Sequence, residues 1–338
     1  MPAQLETAAI LTALRAAAEP TRLRILMLLD GGELNVKDLT RILGQSQPRI
    51  SRHLRLLNEA GLIERFREGT WVYFRLADGG AADGVRRLLT DHVSAGDPER
   101  VRDRERAEAV KRERADMAQA YFRTHAAEWD RIRAMHVSEA AVETAMREAL
   151  GDGPFELLVD LGTGTGRVLE LFADRVRRGV GLDINQAMLA YARDRLEHAG
   201  HAHCQVRQGD LYNLPLADGC AGAVVIHQVL HFLDDPGRAV AEACRLLAPA
   251  GRLLIVDFAR HQLEFLREEF AHQRLGFAEQ QVNDWLRQAG LTTLGVRHLS
   301  PPGEDAQERL TVSIWLASRP EQPGARNQAK RHLEMGAT

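Results

Sequence analysis

Gly162, Gly164 and Gly166 stand in the run Val159-Asp160-Leu161-Gly162-Thr163-Gly164-Thr165-Gly166, between an apolar stretch and one that reads as a helix. A tight glycine turn at such a place lets the backbone approach a ligand, and the helix start behind it presents unpaired N–H groups. The spacing suits a nucleotide-type ligand, and a dinucleotide site would use it too. The next apolar run ends in Gly181-Leu182-Asp183, with Asp183 seventeen residues beyond Gly166. A carboxylate there can accept both hydroxyls of a ribose. A third run ends in Gln208-Gly209-Asp210-Leu211, where the carboxylate of Asp210 can accept from an adenine amino group. His227 and His231 lie four apart beyond a fourth run, but no third ligand accompanies them, so no metal site is expected.

A second set of residues is basic. Residues 41–75 carry seven Arg against three Glu, in a chain whose formal net charge is −3. Bulk charge therefore says nothing for a polyanionic partner, and local charge must carry that argument. Ile50, Leu54 and Leu57, at i, i+4 and i+7, form the buried stripe of a helix over 47–60. Arg52 and Arg55 point away from the stripe, Arg49 lies at its flank, and His53 lies near it. Two strands follow, LIERFR and WVYFRL, joined at Glu68-Gly69-Thr70, and they place Arg65, Arg67 and Arg75 on a hairpin beside the helix. Arginines grouped on a polar helix start and an adjacent hairpin suit DNA. The alternative for each is a solvated surface, and for His53 a hydrogen bond inside the fold.

The elements that must hold these residues are legible in part. Pro20 suits the first turn of TRLRILMLLD; Asn35 caps VKDLTRIL, which Gly44 ends. Ser46 caps QPRISRHLRLLNEA, with Pro48 tolerated in the first turn and Gly61 closing the helix. The opening MPAQLETAAILTALRAAAEPTR reads as one amphipathic helix and not a signal peptide. Residues 97–116 hold seven basic and seven acidic residues in twenty, the pattern of an exposed, solvated linker helix.

From about residue 153, FELLVDLG, RGVGLDI, HCQVRQGD, GAVVIHQ and GRLLIVDF alternate with amphipathic helices, which implies a parallel sheet of strands buried on both faces. TTLGVRHL and LTVSIWLAS, joined by SPPGEDAQ, read as an antiparallel hairpin at one edge. Residues 261–290 read as a helical insert able to cap a pocket, and 319–338 as a disordered tail. The boundaries expected are 1–95, a linker 96–116, a second domain 117–318 and the tail. Hydrophobic content of 45% suits a globular protein, and no stretch reaches the 18 or so apolar residues of a membrane helix. Cys204, Cys220 and Cys244 are scattered and read as reduced cytoplasmic thiols.

The blocks EPTRLRIL, SQPRISRHLRLLNEAGLIE and REGTWVYFRL, in order over roughly residues 14–77, resemble an ArsR-family winged helix-turn-helix repressor. The resemblance implies a homodimer whose helix 47–60 enters the major groove of an operator. Gln47, Arg49, Ser51, Arg52 and His53 would then lie near bases or phosphates, with Arg65, Arg67 and Arg75 flanking the backbone or minor groove. Metal-sensing members place cysteines where this chain has Glu33-Leu34-Asn35-Val36-Lys37-Asp38-Leu39, so the soft-metal site is absent and the signal must come from elsewhere.

LLVDLGTGTGRVLELFA, GLDIN, GDLYNLPLADGCAGAVVIHQVLHFLDDP, EACRLLAPAGRLLIVDF and the terminal hairpin resemble a class I S-adenosylmethionine-dependent methyltransferase over about residues 117–318. The fold implied is a Rossmann-like, mostly parallel sheet behind an N-terminal winged helix-turn-helix, an α/β chain. By the same resemblance Asp160, Gly162, Thr163 and Gly164 hold the amino-acid end of the ligand, Asp183 and Ile184 the ribose, and Asp210 and Leu211 the adenine. His227 and Gln228 border the sulfur, and AYFRTHAAEWDRIRAMH resembles a lid helix in which Tyr121 and Trp129 cover the ligand. Asp160 has the alternative of a strand-end residue satisfying backbone amides, and Trp129 that of core packing beside Phe122, Ala126 and Ile132.

The chain lacks the Asn/Asp-Pro-Pro-Tyr/Phe motif of amino-methylating nucleic-acid enzymes and the paired cysteines of base-carbon or arsenic methylation, which sets DNA methylation aside. The catalytic residue is therefore unassigned; His231 is the candidate acceptor base, with a helix-start polar role as its alternative. The joined arrangement resembles regulators of the methionine cycle that respond to S-adenosylhomocysteine. The expected function is a repressor controlled by S-adenosylhomocysteine or S-adenosylmethionine; the alternative is a small-molecule methyltransferase with a DNA-binding appendage.

Overall fold

The computed structural model describes residues 6–68, 71–77, 79–126, 138–300 and 310–321. The chain divides into two compact units, 1–117 and 118–338.

The first unit opens with α1 (Thr7–Ala17) and α2 (Pro20–Asp30), the second starting at Pro20 as expected, so the amphipathic stretch that reads to residue 22 is two helices. The break falls where Pro20 disfavours helical backbone at the residue before it. Glu19 is accordingly extended, and its carboxylate accepts the Arg22 N–H at 2.8 Å. Helix α3 (Val36–Leu43) starts on a reciprocal cap: Asn35 accepts the Asp38 N–H at 2.9 Å, and Asp38 accepts the Asn35 N–H at 3.3 Å. Gly44, in left-handed conformation, ends it. Helix α4 (Gln47–Glu59) buries Ile50, Leu54 and Leu57 as expected, but Ser46 is its N-cap in backbone only and makes no side-chain cap bond. Strands β1 (Leu34–Asn35), β2 (Ile63–Glu68) and β3 (Trp71–Leu76) form an antiparallel sheet ordered β1-β3-β2. Helix α5 (Gly80–His92) follows.

Helix α6 (Pro98–His125) corrects the expectation of a solvated linker. Its Ala107 and Val110 are buried in the same core as Ile25, Leu39, Ile42 and Leu57. The Asp103 carboxylate is nearly inaccessible and takes both arms of the Arg24 guanidinium, at 2.6 and 2.7 Å. Arg114 pairs with Asp38 of the α3 cap, and Arg106 donates to the Ile42 carbonyl at 3.2 Å. The even alternation of charge concealed that one face of the helix spends its charges inward.

The second unit contains α7 (Glu139–Leu150), β4 (Leu158–Leu161), α8 (Arg167–Phe172), β5 (Gly179–Asp183), α9 (Gln186–His198), β6 (Cys204–Gln208), β7 (Ala221–His227), α10 (Pro236–Leu246), β8 (Leu247–Phe258), α11 (Phe265–Glu269), α12 (Glu279–Gln288), β9 (Thr292–Leu299) and β10 (Val312–Ser318). The strand order is β6-β5-β4-β7-β8-β10-β9, parallel through β8, with β10 antiparallel to both its neighbours. Alternate residues serve two cores. Leu158, Val225 and Leu254 pack with Val142, Met146 and Phe172 on one face. Val159, Val224 and Leu253 pack with Val240, Val282 and Trp315 on the other. This two-sided cover explains the unbroken apolar runs.

Strand β6 departs from them, because at the sheet edge it buries Cys204 and Val206 while Gln205, Arg207 and Gln208 face solvent. The segment 261–290 is not a continuous helical cap. It holds the short α11, a connection that bridges Ala259 to Phe277, and α12, whose Val282 and Leu286 belong to the sheet core. Arg319 also leaves the expected tail: its N–H donates to the Gly251 carbonyl at 2.9 Å. The hairpin tip 69–70, Trp129 and Ile132 with the rest of 127–137, the loop 301–309 and the tail from 322 lie outside the described residues. Among the described residues no helix is long and apolar enough to cross a membrane.

Removing Asp103 leaves the largely buried Arg24 only its contact with the half-exposed Glu99, at 3.1 Å, at a cost of about 3 kcal/mol. Asp103→Ala is thus expected to lower the melting of the first unit by on the order of 10 °C in a calorimetric scan. The apolar double variant Arg24→Leu/Asp103→Leu should recover most of that loss.

Candidate functional site

The glycine loop connects β4 to α8. Strand β4 is the point from which the chain winds outward in both directions, to β5 and β6 on one side and β7 and β8 on the other. Such a switch point leaves a crevice at the carboxyl ends of the strands. Gly162, Gly164 and Gly166 all take positive φ, which a side chain would resist. A Cβ on Gly162 would also come within 2.4 Å of a Val229 methyl. The Gly162 and Thr163 N–H groups both donate to the Leu182 carbonyl, at 2.8 and 3.0 Å, fastening the loop to β5. Asp160 lies buried beneath the loop, where it accepts the Thr163 hydroxyl at 2.6 Å. Its anchoring partner is thus a side chain of the loop itself.

Asp183 ends β5 with its two carboxylate oxygens aligned by backbone donors: Gly164 N–H at 2.9 Å and Asn185 N–H at 2.8 Å. Burial pushes this carboxyl above the ordinary aspartate range, and the Asn185 and Gly164 N–H groups pull against that rise. Its carbonyl accepts the Gly209 N–H at 3.0 Å, so the end of β6 is brought beside it. There Asp210 is exposed and accepts the Tyr212 N–H at 2.9 Å, with Leu211 half-buried next to it. Ile184 is exposed. Asn185, which the sequence reading passed over, caps α9 and donates to the Gln119 carbonyl and side chain at 3.2 and 3.0 Å. The arrangement fits an adenosyl ligand: a half-buried carboxylate to accept vicinal hydroxyls, an exposed one to accept an amine, and a loop that admits close backbone approach.

The end of β7 carries His227 and Gln228, both buried. Gln228 takes φ +53, a strained value for a residue with a side chain, and donates its N–H to the Val256 carbonyl at 2.7 Å. His231 sits in a single 3-10 turn, Leu230–Phe232, and is only 2% exposed. Its Nδ1 lies 2.7 Å from Asp257 Oδ1. The expected alternative of a helix-start polar residue is therefore replaced by a buried imidazole–carboxylate pair. Asp257 was missed because it closes an apolar strand 26 residues away, and nothing in the sequence joins the two. Tyr121, near the end of α6, stacks on His125 with 4.3 Å between ring centres, and burial raises its phenol pKa.

On the first unit, α4 presents Gln47, Arg49, Ser51 and Arg52 to solvent. His53 does not join them. Its side chain is 12% exposed, with Nδ1 3.5 Å from a Glu19 carboxylate oxygen. Burial lowers its pKa; Glu19 opposes this, while Arg22, Arg49 and Arg52 add to it. Arg65 and Arg67 are exposed on β2. Arg75 is instead held by Glu64, at 2.7 and 2.9 Å, and lies over the Phe66 ring, so it is partnered within the hairpin.

Residues 19–65 match the family of bacterial regulatory proteins called arsR, and residues 159–255 match a methyltransferase domain. The chain thus joins an arsR-family DNA-binding domain to a class I S-adenosylmethionine-dependent methyltransferase domain. It is 54% identical over 61 residues to the arsenical resistance operon repressor of Escherichia coli (strain K12), covering 18% of this chain and 52% of that one. It is 36% identical over 104 residues to the demethylmenaquinone methyltransferase of Thermobifida fusca, covering 31% and 44%. A chain of the solved complex between the Haloferax volcanii Trm112 methyltransferase activator and its methyltransferase aligns at TM-score 0.50 and 20% identity, over 59% of this chain and 98% of that one. That likeness concerns the fold. The chain spans between 33% and 52% of the length of the first curated relatives it matches.

Loss of a hydrogen bond to a charged group costs about 1.5–3 kcal/mol. Asp183→Asn should accordingly weaken S-adenosylhomocysteine binding by about tenfold to a hundredfold in calorimetry. Protonation of Asp183 competes with the donors of the ligand. Because its pKa is raised, affinity should hold above neutral pH and fall on acidification at a higher pH than an ordinary aspartate would give. The Asn variant should lose that dependence, and a wild-type affinity flat through the acid range would refute the assignment.

Proposed function

We propose that this protein is a homodimeric DNA-binding repressor whose hold on its operator is set by S-adenosylhomocysteine, S-adenosylmethionine or their ratio. The observation that carries the proposal is the Asp183 carboxylate, aligned by two backbone donors at the switch point, on the same chain as an exposed polar start of α4. The position of Asn35 supports it. Where metal-sensing members bear a thiolate, this residue is spent on capping α3, so sensing falls to the second unit. In that unit Asp183 and Ile184 hold the ribose, Asp210 and Leu211 the adenine, and the loop from Asp160 to Gly164 the amino-acid end. His227 and Gln228 border the sulfur, and Tyr121 covers the ligand. The two ligands differ by one methyl and one positive charge, which groups beside the sulfur can distinguish. Operators at genes of the methionine cycle would place the effector among the products those genes control.

Control requires that a ligand prefer one state of the protein; equal binding to both shifts nothing. A hundredfold change in operator affinity needs about 2.7 kcal/mol of such preference, within the usual range of coupling. A second reading, methyl transfer to a small molecule, is favoured by the His231–Asp257 pair and is developed below.

Operator affinity at fixed salt, with and without each ligand, tests the proposal, using DNA upstream of this gene and of methionine-cycle genes. A shift of tenfold or more with one ligand is expected. Unchanged affinity while both ligands bind in calorimetry would overturn ligand control. For the dimer, the face proposed is the exposed apolar stripe of Ile10, Leu11 and Leu14 on α1, with Leu88 on α5. Leu11→Glu/Leu14→Glu should halve the mass seen by sedimentation and cut operator affinity, whereas an unchanged mass would reject that face.

A further inference from the structure

We infer that the second unit also performs methyl transfer onto an aromatic hydroxyl, with His231 as the base that takes the hydroxyl proton and Asp257 as its positioning residue. The inference rests on the reading of the cleft as a site for S-adenosylmethionine.

Position comes first. His231 lies three residues beyond Gln228, and Asp257 is the penultimate residue of β8. Strands β7 and β8 are parallel neighbours, so both groups stand at the carboxyl edge of the sheet, where the cleft opens.

The pair is also costly to build. Asp257 is 0% exposed and His231 2%, and a buried ionisable pair of this kind usually adds little stability beyond what apolar packing would supply. Asp257 Oδ1 accepts from both His231 Nδ1–H, at 2.7 Å, and the Phe258 N–H, at 2.8 Å. This holds the proton on Nδ1 and makes Nε2 the basic nitrogen. The backbone is fixed as well, because the His231 carbonyl accepts the N–H groups of Gln273 and Arg274 at 2.8 and 3.0 Å. The imidazole is therefore oriented before any acceptor arrives.

The surroundings indicate the class of acceptor. Ring centres of Phe232, His272 and Phe258 lie 4.1, 4.2 and 5.1 Å from that of His231. Tyr121 stands edge-on to Phe270 at 6.3 Å. Flat rings suit a planar aromatic partner. The base then selects the nucleophile. A thiol ionises near neutral pH without help, and an amine can attack first and lose its proton afterwards. A hydroxyl must shed its proton as its oxygen bonds to carbon. In the step proposed, the oxygen–methyl bond forms as the sulfur–methyl bond breaks, the hydroxyl proton passes to His231 Nε2, and the sulfur leaves as a neutral thioether. The products are an aryl methyl ether, S-adenosylhomocysteine and a protonated imidazole that returns its proton to water.

The full-length protein provides the test. Nitrogen-15 resonances of the unliganded protein should show His231 protonated at Nδ1 at neutral pH and should change in Asp257→Asn. Calorimetry should show S-adenosylmethionine bound by wild type, His231→Asn and Asp257→Asn within a few-fold of one another. Methyl ether formation is then followed by mass spectrometry with two probes: phenol, and 4-nitrophenol at a pH where it is already ionised. His231→Asn should lose about a hundredfold or more on phenol, the usual scale of a general base, yet under tenfold on the nitrophenolate. Asp257→Asn should lose about tenfold on phenol and displace the acid limb of its kcat/KM profile. Should the variants fail to fold, the wild-type profiles decide: phenol turnover must fall with protonation of one group while nitrophenolate turnover does not. Ligand binding without ether from either probe, or equal losses on both, would overturn the inference and leave the cleft reading intact. Failure of wild type to bind S-adenosylmethionine would overturn the cleft reading itself.

Discussion

A carboxylate taken out of water must find its donors inside the protein, and this chain is arranged around four aspartates that do so. Asp38, Asp103, Asp160 and Asp257 are each at most 4% exposed. Asp38 closes the cap of α3 and receives Arg114; Asp103 receives Arg24. Asp160 receives the Thr163 hydroxyl under the glycine loop, and Asp257 receives His231 and a backbone N–H. The first two decide which helices belong to the DNA-binding unit. The other two decide the shape of the cleft floor and the direction of one imidazole. At Asp257 both donors converge on Oδ1, while Oδ2 is buried without a hydrogen-bond partner among the described residues, so the loss of either donor would leave a buried charge short of the hydrogen bonds that offset its desolvation.

The same need explains which parts of the molecule could be read from its sequence. Periodicity exposed the stripe of α4 and the unbroken runs of β4, β7 and β8, because apolar burial repeats at a fixed interval along the chain. The glycine loop and Asp183 were legible because a short, ordered motif contains them. Partnerships were not. Arg24 finds Asp103 79 residues away and Arg114 finds Asp38 76 residues away, so the 97–116 segment looked like a solvated helix. The neighbours of Arg75 and His53, Glu64 and Glu19, were likewise hidden, since nothing local in the sequence pairs them. Asp257 was hidden as the polar end of an apolar strand. Where two local rules competed, the proline signal won: α2 starts at Pro20, inside a stretch whose amphipathic pattern runs on to residue 22.

The two domains divide the chemistry cleanly. On the DNA-binding unit, Arg49, Arg52, Arg65 and Arg67 stay at the surface and Arg75 pairs with Glu64 on the partly exposed hairpin, while Arg24 and Arg114 reach the buried Asp103 and Asp38. On the methyltransferase unit, Asp183 and Asp210 stand at the carboxyl ends of β5 and β6 and accept backbone N–H groups, an arrangement that suits a ligand rich in hydroxyls and amines. Under the proposed function, the basic face would meet a polyanion and the cleft a nucleoside.

Helix α6 changes where the DNA-binding module ends. Cutting the chain at residue 95 would remove Ala107 and Val110 from the core, strip Arg24 of its carboxylate and release Asp38 from Arg114. A portable version of this reader, whether arising by gene recombination or grafted onto another sensor, must therefore carry its chain past Arg114. The first unit thus ends inside a helix, well beyond the point where the winged hairpin closes.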